Sequence, residues 1–282
     1  MSSTLQVVSN NNNVKKKYSS KIKGNVLIKW YDEEGEHVEQ LHNQITTSFI
    51  NLLTSYAQTG GTLVGNPVFT ILVYSGNTAV ASANASLIYT VAGENNIYRF
   101  ETVLQYSSGT KVTSLQLQFS NLPIGSIIAS VNVSSFPTSG LVFVTWLVTV
   151  QINTFDAFTP YLLACLFNIT NTPAGATTNV TLGIQAFIQY RYLTSPPSYY
   201  VSYTIGSSAT TIPIQPTITS NSISVTYTVI TNQVSTVFEP TIYATASNGN
   251  VTMLSYLGSL LLLLGESLSI SYSVVYEAVS GG

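Results

Sequence analysis

The chain has 282 residues, of which 9 are Lys or Arg and 11 are Asp or Glu, so that only 7% are charged, against about a quarter in an average soluble protein. A mean hydropathy of +0.30 excludes intrinsic disorder, because disordered chains combine low hydrophobicity with high charge. A helical bundle is also excluded, since Ser and Thr make up about a quarter of the chain and the acids and lysines that cover helix surfaces are scarce. We therefore predict an all-β protein.

The first 24 residues form a polar, basic segment, which we interpret as a low-complexity arm (1–24). Lysines can neutralise phosphates or anionic lipid headgroups without a fixed fold. The arm is predicted to contact nucleic acid or a membrane surface through Lys15, Lys16, Lys17, Lys21 and Lys23. The alternative is a frayed terminus that only adds solubility.

Residues 25–136 are predicted to form an N-terminal β-sandwich with one helix. A hairpin is expected over residues 25–41, followed by a helix near residues 44–57, where apolar residues recur with helical spacing. Strands follow from residue 68, and the clearest is 112–119, in which Leu115, Leu117 and Phe119 alternate with polar residues.

Residues 137–282 are predicted to form a second sandwich built from two repeat-like units, about 137–197 and 217–282. Phe158 and Pro160 recur as Phe238 and Pro240 at a constant offset of 80 residues, and we interpret these four as equivalent turn or packing positions. The fold prediction is thus a tandem pair of antiparallel, jelly-roll-like β-sandwiches.

The residues that enzymes need are sparse, and we predict no catalytic residue, no metal site and no cofactor. The two histidines, His37 and His42, lie in one ionic segment with Glu39, where no second cluster completes a metal site. The single Cys165 sits in an apolar run and is expected to be a buried, inert thiol. A glycosidase needs two carboxylates, and Asp156 and Glu239 occupy corresponding loops of the repeat. Acids at loop ends usually cap turns, however, and we do not interpret this pair as catalytic.

The C-terminal half carries few ions. Residues 112–282 contain four acids and one Arg, so we expect the stability of this half to depend little on pH.

The sequence also shows no export signal, since the first 24 residues lack an apolar stretch.

The basic arm, the segment GNVLIKWYDEEGEHVEQLHNQITTSFINLL (24–53) and the uncharged, strand-rich remainder together resemble structural proteins of viruses that infect hyperthermophilic, acidophilic archaea, including jelly-roll capsid and turret proteins. The opening is also similar to phage tail and fibre proteins. This resemblance implies a non-enzymatic virion protein, assembled in the host cytoplasm and exposed after release.

Within the virion we expect an outward-projecting turret, vertex or spike component, anchored by its ionic N-terminal end. The alternatives are a major capsid protein of the shell, a receptor-recognition spike that binds host glycans, and a surface filament subunit of an archaeon. The expected partners are further copies of the chain, other virion proteins, the genome or an anionic inner membrane through the arm, and host surface glycans.

Overall fold

The protein is described by a computed structural model that covers residues 12–61, 66–107, 109–122, 126–152, 156–231, 233–256 and 258–279, with the backbone alone for residues 12–16. These residues are mostly in strands, which confirms the prediction of a β protein in its coarse form. The strands are β1 (Asn12–Asp32), β2 (Gly35–Ile45), β3 (Phe69–Ser75), β4 (Thr78–Ala92), β5 (Asn95–Tyr106), β6 (Ser114–Phe119), β7 (Ile127–Asn132), β8 (Gly140–Gln151), β9 (Tyr199–Ile205), β10 (Ser208–Ile214), β11 (Thr217–Ile218), β12 (Ser222–Ile230), β13 (Ser235–Ala246), β14 (Gly249–Ser255), β15 (Ser259–Leu262) and β16 (Ser267–Ala278). The helices are α1 (Thr47–Thr59), α2 (Phe158–Phe167) and α3 (Thr178–Tyr190).

Eight strands close into an antiparallel barrel in the order β1–β2–β7–β6–β3–β4–β5–β8, with β8 pairing back to β1. The alternation of apolar and polar residues explains the inward face of each strand. On β6, for example, Leu115, Leu117 and Phe119 are buried and the residues between them are not, as predicted. The structure does not confirm a jelly-roll sandwich.

Strand β1 belongs to two sheet regions. Its second half pairs with β2 and β8 in the barrel, and its first half, Asn12–Ile22, pairs in parallel with β16. Strands β12 and β11 continue the sheet beyond β16. A second sheet has the order β10–β9–β13–β14, and β15 pairs with β13.

Three helices are present in the described residues, where one was predicted. Helix α1 confirms the prediction near 44–57, with Thr46 accepting the N–H of Phe49 at its start and Gly60 at its end. Helix α2 is buried at every one of its 10 residues, so that it lacks the one-sided pattern that predicts a helix. None of the helices that the structure describes is long and apolar enough to cross a membrane.

Two organisational predictions need correction. The boundary at residue 136/137 does not divide the sheets, because β8 completes the barrel and β16 pairs with β1. The proposed repeat is not a structural one, because Phe158 and Pro160 lie in α2, whereas Phe238 and Pro240 lie in β13. The identical residues at this fixed offset result from the biased composition of the chain, and the two segments do not share a local structure.

The predicted arm is also different from expectation where it is described. Residues 12–24 form the first part of β1 rather than a segment without a fixed fold, because backbone hydrogen bonds of the parallel pairing with β16 hold residues 12–22 in the sheet. Residues 1–11 lie outside the described residues.

Candidate functional site

The outer wall of the barrel carries a group of large apolar side chains that point to solvent. We call this group the barrel face, and its members are between 38% and 56% exposed: Leu27, Tyr31, Val38, Val103, Leu141 and Phe143. They come from β1, β2, β5 and β8, whose opposite sides fill the core.

Strand register makes the barrel face continuous. Lys29 is paired with Val38 on β2 and with Phe143 on β8, and Phe143 is paired with Val103 on β5. Paired residues of antiparallel strands project on the same side, about 5 Å apart. The ring of Tyr31 meets that of Phe143 edge to face, with 6.5 Å between the ring centroids. The face is therefore one surface across four strands.

Charged groups interrupt and border the barrel face. Lys29 forms an ion pair with Glu36 and lies over the Tyr31 ring, 5.1 Å from its centroid. The hydrogen bond to Glu36 is the main reason that the pKa of Lys29 is raised. On the β5 side, Arg99 pairs with Glu101, with 3.2 Å between Nε and Oε1.

The first half of β1 adds a basic flank to this face. Lys17, Lys21 and Lys23 are exposed, and they alternate in phase with Leu27 along the strand. The predicted contact residues Lys15 and Lys16 also lie in β1, with side chains outside the described residues.

A second apolar surface lies on β13, β15 and the segments beside them. We call it the β13–β15 face, and its members are between 39% and 70% exposed: Val234, Phe238, Leu261, Leu263 and Leu264. The pairing of Thr236 with Leu261 and of Phe238 with Ser259 puts these outward positions on one side. Leu262 and Val237 point to the other side and are buried.

The acids near the β13–β15 face are Glu239 and Glu266. Glu239 is exposed on β13, next to Phe238. The side chain of Glu266 accepts the N–H of Leu263 at 2.8 Å, which holds the turn after β15.

Asp156 is a fully buried carboxyl group at the start of α2. It accepts the N–H groups of Phe158 and Thr159 at 3.0 and 3.2 Å, the hydroxyl of Tyr272 at 3.0 Å and the hydroxyl of Thr159. Loss of solvent raises the pKa of Asp156, and these hydrogen bonds oppose the rise. The carboxyl group thus caps α2 and ties it to β16, whereas Glu239 is exposed on β13.

The other candidates for chemistry are dispersed. His37 Nε2 is 2.8 Å from the Oδ1 of Asp32, whereas His42 Nδ1 is 2.7 Å from the Oδ1 of Asn25. Glu39 instead accepts the hydroxyl of Ser134 at 2.7 Å. Within the described residues no group of three or more metal-ligating side chains occurs. Cys165 lies buried in α2, where loss of solvent raises its pKa to about 12 and so suppresses the reactive thiolate.

An aromatic pair lies on the outer side of the second sheet. Tyr200 and Tyr243 are paired across β9 and β13, and their rings stack with 5.5 Å between centroids and 22° between planes. Tyr200 also lines a cleft of about 630 Å³, together with Gln58, Pro196 and Pro213.

Neither apolar face was identified from the sequence. The signal for the barrel face is present in the segment NVLIKWY (25–31), which is apolar at consecutive positions instead of at every second one. Such a run predicts a strand that is covered on both sides. In the structure only one side of that strand is covered by the core.

No model of a protein family and no solved structure matches this chain. Over 266 residues, however, the chain is 32% identical to the uncharacterized protein ORF258 of Acidianus filamentous virus 2 (isolate Italy/Pozzuoli). The aligned region covers 92% of this chain and 98% of the viral protein. This similarity supports the viral origin that the resemblance implied. The chain belongs to the same family as ORF258, a protein of an archaeal virus.

Proposed function

We propose that the chain is a non-enzymatic structural protein of an archaeal virus particle, located in the virion as an outward-projecting turret, vertex or spike component. The observation that carries the proposal is the barrel face, because apolar surfaces of this kind mark sites where proteins bind other proteins. The chain belongs to a family with a member from an archaeal virus, which agrees with such a role.

The distribution of charge supports the proposed orientation. Exposed lysines are concentrated on β1, and after Lys111 the sequence contains a single further basic residue, Arg191. A basic end suits contact with a genome or an anionic membrane, whereas a neutral remainder suits an exposed projection.

The experiment is immunogold electron microscopy of washed particles, with one antibody against residues 217–230 and a second against the β1–β2 turn at residues 31–36. We expect the first antibody to label projections and the second to label only after mild disruption of the particle. Even labelling of the shell by the first antibody would instead support the major capsid protein. Absence of the chain from washed particles would contradict a structural role.

A second candidate function, recognition of host glycans, is favoured by the Tyr200–Tyr243 pair. Sugar rings stack on aromatic side chains, and both tyrosines are half-buried, so that part of each side chain is open to solvent. The adjoining cleft offers amide and hydroxyl groups instead of charges. An array of neutral oligosaccharides should be bound by the native protein and lost in Tyr200→Ala, with Tyr31→Ala as the control on a different surface. Equal binding by all three proteins, or by none, would contradict this candidate.

A further inference from the structure

We propose that the barrel face of one copy of this chain docks on the β13–β15 face of a second copy, so that the copies join head to tail. The inference rests on the proposed structural role and names the partner that this role requires.

The two faces belong to separate parts of the molecule. The barrel face is formed by β1, β2, β5 and β8, whereas the other face is formed by β13, β15 and their flanking segments, in the second sheet. If two barrel faces paired with each other, both β13–β15 faces would stay exposed to water. Head-to-tail contact removes both kinds of apolar surface from solvent, which is the more favourable arrangement.

The size of the surfaces is sufficient for a stable contact. Exposed fractions of 38–56% on the large side chains of the barrel face correspond to roughly 500 Å² of apolar surface. With its polar border, the face approaches the ~800 Å² that each partner contributes to an interface of standard size.

The barrel face is bordered by charges of both signs, because Lys21 and Lys23 extend from it along β1 and acids such as Glu36 lie beside it. The β13–β15 face is bordered by Glu239 and Glu266. The lysines of β1 favour a contact with these two acids. A contact between two β13–β15 faces would bring acids of the same sign together, which is unfavourable.

A contact between unlike faces has a definite consequence for assembly. The copy at one end of such an assembly keeps a free barrel face, and the copy at the other end keeps a free β13–β15 face. Further copies can therefore add until the assembly closes into a ring, or it grows as a helical filament. The purified native protein should therefore show a series of oligomers that lengthens with concentration.

The test uses one charge substitution on each face of the full chain. Val103→Glu introduces a charge into the barrel face, and Leu264→Glu introduces one into the β13–β15 face. Each variant alone should be monomeric, since its copies offer only one kind of working face. An equimolar mixture should form a 1:1 dimer and stop there, because the remaining faces are both blocked.

Sedimentation velocity gives the size of the assemblies and native mass spectrometry gives their composition, because the two variants differ in mass. We expect each substitution to weaken self-association at least tenfold, which corresponds to about 1.4 kcal/mol. Thr228→Glu, on the outward side of β12, is the matched control and should assemble as the native protein does. Circular dichroism confirms folding, and Leu141→Glu and Leu261→Asp, which also differ in mass, repeat the test at second positions.

The alternatives give different results. A dimer formed by either variant alone would overturn the inference, as would a mixture that stays monomeric or a native protein that is monomeric at about 100 μM, where even weak contacts form. Any of these results leaves the particle-labelling experiment unaffected. Conversely, head-to-tail oligomers of a protein that is absent from particles would contradict the proposed function alone.

Discussion

Asp156 has no solvent exposure, and the groups that surround its carboxylate are neutral hydrogen-bond donors. They come from the start of α2 and from Tyr272 of β16, with the hydroxyl of Tyr276 a further 3.2 Å from that of Thr159. Burial raises the pKa of Asp156, and the nearby carboxylate contributes to the raised pKa of Tyr272 and of Tyr276. The stability of the C-terminal half should therefore depend on pH through this one residue, although that half of the chain contains few acids.

The sign of this effect follows from the direction of the pKa shift. A carboxyl group whose pKa is higher in the folded state favours folding fully below its unfolded pKa of about 4, and this contribution is lost as the pH rises through the folded pKa. We expect Asp156→Asn to remove the dependence, because an amide does not ionise yet still accepts the N–H groups of Phe158 and Thr159.

Thermal melts of the full-length native protein and the Asn variant at pH 3 and pH 7 measure the difference. The native protein should lose Tm relative to the variant as the pH rises. Equal pH profiles for the two proteins would show that Asp156 does not titrate in this range.

At the scale of elements, β1 changes partner from β16 to β2 at Gly24, where the side chain of Asn43 approaches the backbone closely. A Cβ at this position would lie 2.0 Å from the Oδ1 of Asn43, whose buried side-chain amide has no hydrogen-bond partner among the described residues. We expect Gly24→Ala to destabilise the protein by about 1–3 kcal/mol, the usual cost of an overpacked core.

Urea unfolding of a double-mutant cycle tests this cause. In the Asn43→Ala background the same Gly24→Ala substitution should cost less than half as much, since the clashing atoms are gone. If the cost is the same in both backgrounds, the destabilisation arises from another contact.

Helices α2 and α3 also show why local patterns predicted only part of the fold. Helix α1 was predictable because Phe49 and Leu53 face the core while Asn51 and Ser55 face solvent. Helix α2 has no polar side, and α3 carries Thr, Val and Ile residues that favour strands. Gly183 allows the two helices to approach, because a Cβ there would lie 2.5 Å from the carbonyl oxygen of Ala157, and no local pattern reports such a contact.

At the scale of the whole molecule, closure of the barrel depends on pairings between distant segments, which alternation alone does not specify. The strand at 112–119 was predictable residue by residue, but its pairing with β3 and β7 was not. The same limit applies to the barrel face. Its members were visible as apolar strand residues, yet only the register of four strands brings Val38, Phe143 and Val103 into one row.

The exposed lysines of β1 should bind anionic surfaces as a rigid row, since they lie on one side of a paired strand. We expect Lys17→Gln, Lys21→Gln and Lys23→Gln together to weaken binding to double-stranded DNA or to anionic vesicles without unfolding the protein. The slope of log K against log salt on DNA should decrease by about 0.9 for each phosphate contact that is lost.

Fluorescence titration in the Val103→Glu background measures this effect on a monomer, and Lys111→Gln, at an exposed lysine outside β1, is the control. Unchanged affinity in the triple variant would mean that these lysines serve another purpose, such as pairing with Glu239 and Glu266 of a neighbouring copy.

The parallel pairing of Asn12–Ile22 with β16 joins the beginning of the chain to its end. During synthesis the first of these strands leaves the ribosome long before Leu268–Ala278 exists, so it must wait as an unpaired edge for almost the entire time of translation. Contacts between such distant segments also make folding slow, because closing a long loop costs entropy before the contact is gained. Lysines on one side of a strand, such as Lys17 and Lys21, are a usual defence of exposed strand edges against aggregation. The lysines of β1 would then protect the nascent chain from aggregation before they serve any function in the folded protein.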